Sequence, residues 1–115
     1  MHEFSLAGEV IKLAQDEAEK HNALAVSEIT IEVGNFSGVE SDAFESAIGL
    51  LSEGSILEKA HLNILRIKGK GKCPTCNNEF EMDQRMDTCP ECNSYPSEIN
   101  GGNEFRVISL MIEEE

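Results

Sequence analysis

The 115-residue chain contains no tryptophan, one tyrosine and five phenylalanines. Proteins that bind single-stranded nucleic acid stack bases on aromatic platforms, so this scarcity argues against that role. Cations are also short, with nine Lys and Arg against twenty-two Asp and Glu, a formal net charge of -13. A chain this acidic repels phosphate backbones, and no nucleic-acid partner is expected. No segment approaches the roughly twenty apolar residues of a membrane span. The opening Met1-His2-Glu3-Phe4 lacks the basic region and apolar run of a secretion signal. A cytoplasmic protein with no membrane partner is expected.

Cysteine is sparse too, yet all four copies fall in one stretch, as Cys73-Pro-Thr-Cys76 and Cys89-Pro-Glu-Cys92. Thiols that are not exported stay reduced, so paired Cys-x-x-Cys motifs read as metal ligands before disulfides. Four thiolates converging on one point are the ligand set of a tetrahedral zinc ion. Such a site has no open position, which makes its role structural. Iron in a rubredoxin-like carrier uses the same donors, but most of this chain lies outside the cysteine region and would be idle in an electron carrier. A thioredoxin-like dithiol is a poorer match, because neither motif opens a helix after a strand. A ribbon of about thirty residues cannot fold on its own apolar core, so the metal supplies much of its stability.

The rest of the chain reads as a small α+β unit. Residues 4–21 form a predicted helix with Ala7, Val10, Ile11, Ala14 and Ala18 on one face, Lys20 and His21 in its last turn and Asn22 as its stop. Ile29, Ile31 and Val33 alternate with Glu28, Thr30 and Glu32 as a half-buried strand closed by Gly34. Ser41 is the predicted N-cap of a second helix bearing Phe44, Ala47, Ile48 and Leu51 on one stripe, with Gly54 as terminator. Leu62–Ile67 is a second strand, and Gly69-Lys70-Gly71-Lys72 reads as a hinge into the cysteine region. Gly101-Gly102 marks the way out. Phe105–Ile112 is a last strand returning to the first sheet, and its apolar phase slips near Ser109, as at a bulge or a central strand. The expected fold is a small three-stranded sheet with two helices plus an inserted four-cysteine zinc ribbon. Residues 1–70 and 102–115 make the first unit, and 71–101 the ribbon.

Of three histidines, His21 and His61 have ready structural roles at a helix end and a strand start. His2 is set differently. The α-amine of Met1, the backbone nitrogens of His2 and Glu3, and the His2 imidazole close a set of small chelate rings. Four nitrogens in a plane suit nickel(II) or copper(II), and binding would release protons. Termini ordinarily fray, and on local chemistry alone that ordinary reading competes with chelation.

Taken together, the Met1-His2-Glu3 opening, Gly34 followed by Ser37, the two cysteine pairs, and Gly102-Asn103-Glu104 leading into Arg106 and Ser109 resemble the HypA/HybF family of hydrogenase nickel-insertion proteins. The resemblance covers essentially the whole chain. It implies a nickel metallochaperone, not an enzyme, that serves nickel–iron hydrogenase maturation and in some members urease. The implied partners are a HypB-type GTPase, the hydrogenase large subunit and, in some organisms, urease accessory proteins. The implied nickel residues are Met1, His2 and Glu3, with Glu40 at the position of an acidic residue that lies near the metal in some members. Cys73, Cys76, Cys89 and Cys92 are the implied zinc ligands. The rival is a zinc-ribbon adaptor that recruits a protein and holds no nickel.

Overall fold

The computed structural model describes residues 3–114; Met1 and His2 lie outside the described residues. Helix α1 spans Glu3–Lys20 and buries Ala7, Val10, Ala14 and Ala18. Three of these four are alanines, so α1 lies close on its neighbours. Asn22 stops it in the left-handed conformation at φ 53°, and its N–H donates to Glu19 O at 3.2 Å. Strand β1 follows as Ala23–Gly34, starting earlier than the alternation indicates. Its first half is interrupted by register shifts at Leu24 and Ser27, which break period two and hid that half of the strand from the pattern. The Ser27 hydroxyl donates to Met111 O at 3.1 Å across the second shift.

Helix α2 spans Ser41–Leu51. The expected cap is displaced by one residue, because Glu40 is the N-cap and Ser41 is buried in the first turn. The Glu40 carboxylate accepts from two amides at once, Asp42 N at 3.3 Å and Ala43 N at 2.8 Å, where a serine hydroxyl reaches one. The helix ends at Ser52, whose N–H returns to Ile48 O at 2.9 Å. Gly54 falls in the turn beyond it, at φ 75°.

Strand β2, His61–Ile67, runs parallel to β1. The last strand, β6, Phe105–Glu114, runs antiparallel on the other side of β1. The order β2-β1-β6 makes β1 central and leaves β6 at the edge. The phase slip is a bulge: Thr30 faces Ser109 but Ile31 faces Val107, so Ile108 is the extra residue. One core includes Val26, Ile29, Ile31 and Val33 of β1 with the apolar faces of both helices. Phe44 of α2 is fully buried and meets Phe105 edge-on, with centroids 5.2 Å apart. Truncating such a ring costs about 3–5 kcal/mol.

The expected hinge is instead a strand. β3, Gly69–Lys72, pairs with β4, Glu79–Met82, and β5, Glu98–Asn100, in a second sheet of order β4-β3-β5. Its glycines answer to packing and not to flexibility. A Cβ on Gly71 would meet Met82 Sδ at 2.7 Å, Phe80 Cζ at 2.8 Å and Pro96 Cβ at 2.9 Å; one on Gly69 would run into the Phe36 ring.

Candidate metal centre

The turn after each Cys-x-x-Cys is built in the same way. Cys73 N–H donates to Asn78 O and Asn77 N–H to Cys73 O, both at 2.9 Å. The second turn repeats this with Cys89 N–H to Ser94 O at 2.9 Å and Asn93 N–H to Cys89 O at 2.8 Å. Asn77 and Asn93, poor zinc ligands by their chemistry, are the left-handed residues that close these turns, at φ 61° and 57°. Their matched place, one residue after each Cys-x-x-Cys, is the sequence signal that shows it.

The turns bring all four sulfurs within 4.8 Å of one another, the one group of metal-binding side chains of its kind among the described residues. Cys73 and Cys89 are buried, Cys76 and Cys92 half-buried. A tetrahedral zinc–thiolate site with bonds of about 2.3 Å has sulfur–sulfur edges of about 3.8 Å. The Cys76 and Cys89 Sγ atoms stand 3.8 Å apart, so the cluster fits a tetrahedral divalent ion. The N–H of Cys76, with that of Thr75, lowers the Cys73 thiol to about 6 against the opposing effect of burial. Hydrogen bonding to Cys76 and then burial push Cys92 up to about 12, with the nearby Cys73 and Cys76 charges adding to the rise. At Cys76 the N–H of Asn78 pulls downward, but burial and the Cys73 and Cys89 sulfurs leave it raised. Four thiolates this close resist common ionisation, and a divalent cation relieves the conflict.

At the other candidate centre, the structure brings Glu3 and Glu40 together. Glu3 opens α1, and its Oε2 accepts from Glu40 N–H at 3.2 Å. The Glu40 carboxylate is engaged at the α2 cap. Met1 and His2, the other expected nickel residues, lie outside the described residues.

Between the cysteine cluster and the Glu3–Glu40 contact run residues 34–40, which include a residue that sequence reasoning missed. Phe36 packs against the cysteine core. Its N–H donates to Gly102 O at 2.6 Å, and Gly34 N–H donates to Glu104 O at 2.6 Å. The Arg85 guanidinium lies 4.7 Å from the Phe36 ring centroid, and Arg85 Nη2 donates to Phe36 O at 3.4 Å. The glycines at 34, 69 and 102 were the available signal, since each marks a close approach of chain to chain or to this ring.

A family profile described as "Hydrogenase/urease nickel incorporation, metallochaperone, hypA" matches residues 1–112. The hydrogenase maturation factor HypA of Parabacteroides distasonis is 38% identical over 115 residues, covering 100% of both chains. That of Francisella philomiragia is 37% identical over 111 residues, covering 96% of this chain and 98% of its own. The solution structure of the nickel metallochaperone HypA from Helicobacter pylori superposes with a TM-score of 0.67 at 29% identity, covering 100% of each chain.

Proposed function

The chain belongs to the HypA family of hydrogenase/urease nickel-incorporation metallochaperones, and from that membership we propose that it carries nickel(II) as cargo at its amino terminus. The observation that carries the reading is the match over residues 1–112, which takes in the Met-His-Glu opening and both cysteine pairs. The proposed ligands are the α-amine of Met1, the backbone nitrogen and imidazole of His2, and the backbone nitrogen of Glu3. A planar nitrogen set favours nickel(II) over zinc(II), while the four sulfurs of the ribbon favour zinc. Glu40 is assigned a positioning role beside the nickel, because its carboxylate caps α2 while its N–H holds the Glu3 carboxylate.

Zinc is the proposed metal of Cys73, Cys76, Cys89 and Cys92. With four protein ligands it has no open position, so its work is to hold the ribbon. The α/β unit of residues 1–70 and 102–115 is the proposed nickel carrier, and 71–101 the proposed ribbon unit. The protein is not an enzyme in this reading, and it acts in the cytoplasm. Its proposed partners are a HypB-type GTPase and the nickel–iron hydrogenase large subunit, with urease accessory proteins as further clients. No helix among the described residues is long and apolar enough to cross a membrane.

A metal count tests the reading. Protein purified with its native start is expected to retain one zinc per chain and to take up one nickel in calorimetric titration, while His2→Ala keeps the zinc and loses the nickel. One zinc with no nickel uptake in either protein would leave the adaptor as the better account.

A further inference from the structure

A surface that nickel and zinc leave unused runs along the edge of the first sheet. Two concavities meet there, one of about 400 Å³ and one of about 180 Å³. They share Leu13 and Val107, so they form one groove between α1 and β6. The α1 wall presents Glu9, Leu13 and Glu17, with His21 just beyond the helix end, and Leu13 is 44% exposed. The β6 side adds Val107, Leu110 and Ile112. Within the described residues β6 pairs only with β1, so its outer edge carries backbone donors and acceptors with no strand beside them.

The spacing on α1 selects the occupant. Glu9, Leu13 and Glu17 follow one another at i, i+4 and i+8, a rise of about 6 Å per step. Alternate residues of an extended strand advance about 6.6–6.8 Å on one face. A strand laid beside β6 therefore brings every second side chain to successive positions on that wall: carboxylate, leucine, carboxylate. The complementary order is basic, apolar, basic. Glu9 makes no ion pair among the described residues. Glu17 holds only Lys20 at 3.2 Å, an exposed pair of a weak kind that a partner's cation can displace. Arg106, near one end of the groove, is turned to Glu32.

We infer that the α1–β6 groove binds an extended segment of a partner protein by strand addition to β6, and that it selects Lys or Arg on either side of an apolar residue at alternating positions. A second copy of this chain is the poorer occupant. Its own β6 ends in Glu113 and Glu114 and its one cation, Arg106, is already paired, so self-addition gathers like charge.

The test uses the full zinc-loaded chain labelled with nitrogen-15 and a synthetic peptide with the core Lys-Val-Leu-Val-Lys between serines. Three controls accompany it: a Glu-Val-Leu-Val-Glu peptide, the basic peptide with alternate amides N-methylated, and a Glu9→Gln/Glu17→Gln protein. The expected result is amide shifts concentrated at Glu9–Glu17 and Phe105–Ile112. Affinity should fall about 5-fold in the double variant, with no binding by the acidic or N-methylated peptide. Shifts spread over the acidic surface, or affinity unchanged in the double variant, would overturn the proposal in favour of non-specific attraction to a chain of charge -13. Equal binding of the N-methylated peptide would exclude strand addition. Concentration-dependent shifts on β6 without peptide would assign the edge to a second copy and overturn it as well.

Discussion

Single residues show most clearly how one position serves two neighbours, through its side chain and its backbone. Glu40 caps α2 through both carboxylate oxygens and holds Glu3 through its N–H. Glu40→Ala is therefore expected to lower stability by about 1 kcal/mol in urea unfolding, with Glu40→Asp retaining most of the cap. If the positioning role is right, Glu40→Ala weakens nickel binding without removing it; complete loss would make Glu40 a ligand. At the cysteines, the raised thiols of Cys76 and Cys92 hold their protons near pH 8, whereas Cys73 does not. Zinc uptake at that pH is expected to release protons from Cys76 and Cys92, read by calorimetry in buffers of different ionisation enthalpy. Zinc affinity then rises with pH through this range and falls on acidification. Uptake with no proton release would mean that these thiols are already ionised.

Elements were legible where one period governs a whole segment. The apolar stripe of α1 and the second half of β1 follow from side-chain periodicity, while β6 returns to the first sheet as expected although the Ile108 bulge interrupts its phase. β3 was not legible, because a strand of alternating glycine and lysine has no apolar face to count and its fitness comes from the neighbours that crowd it. Glycine substitutions separate the two situations. Gly71→Ala is expected to cost about 1–3 kcal/mol through overpacking and to lower zinc retention in a competition assay with a chromophoric chelator. Gly49→Ala in α2, where nothing lies within 4 Å of the added Cβ, is expected to stabilise the protein by about 0.5–1 kcal/mol. A neutral Gly71→Ala would show that β3 needs flexibility and not space.

Across the whole molecule, extents of 57 × 24 × 17 Å describe a long body, with the two sheets meeting at Phe36. The four cysteines announce one centre by their spacing alone. The other rests on a terminus whose meaning depends on the family match, since a single histidine carries no periodicity or spacing of its own. The joint between the two sheets needed the structure, because Phe36, Gly69, Arg85 and Gly102 are far apart in the chain and meet only in the fold. Phe36→Ala removes the ring that fills this joint, and small-angle scattering is expected to report a larger radius of gyration with zinc still bound. An unchanged radius would place the rigidity of the joint in its backbone hydrogen bonds.

The central claim is that nickel is held by the amino terminus itself. Its most direct test is the visible spectrum of one equivalent of nickel(II), recorded for zinc-loaded protein beginning at Met1 and for the same protein carrying a short amino-terminal extension. The account predicts the single band of planar, diamagnetic nickel in the first and its loss in the second, where Met1 no longer carries a free α-amine. The same band in both proteins would contradict it and move the nickel away from the terminus.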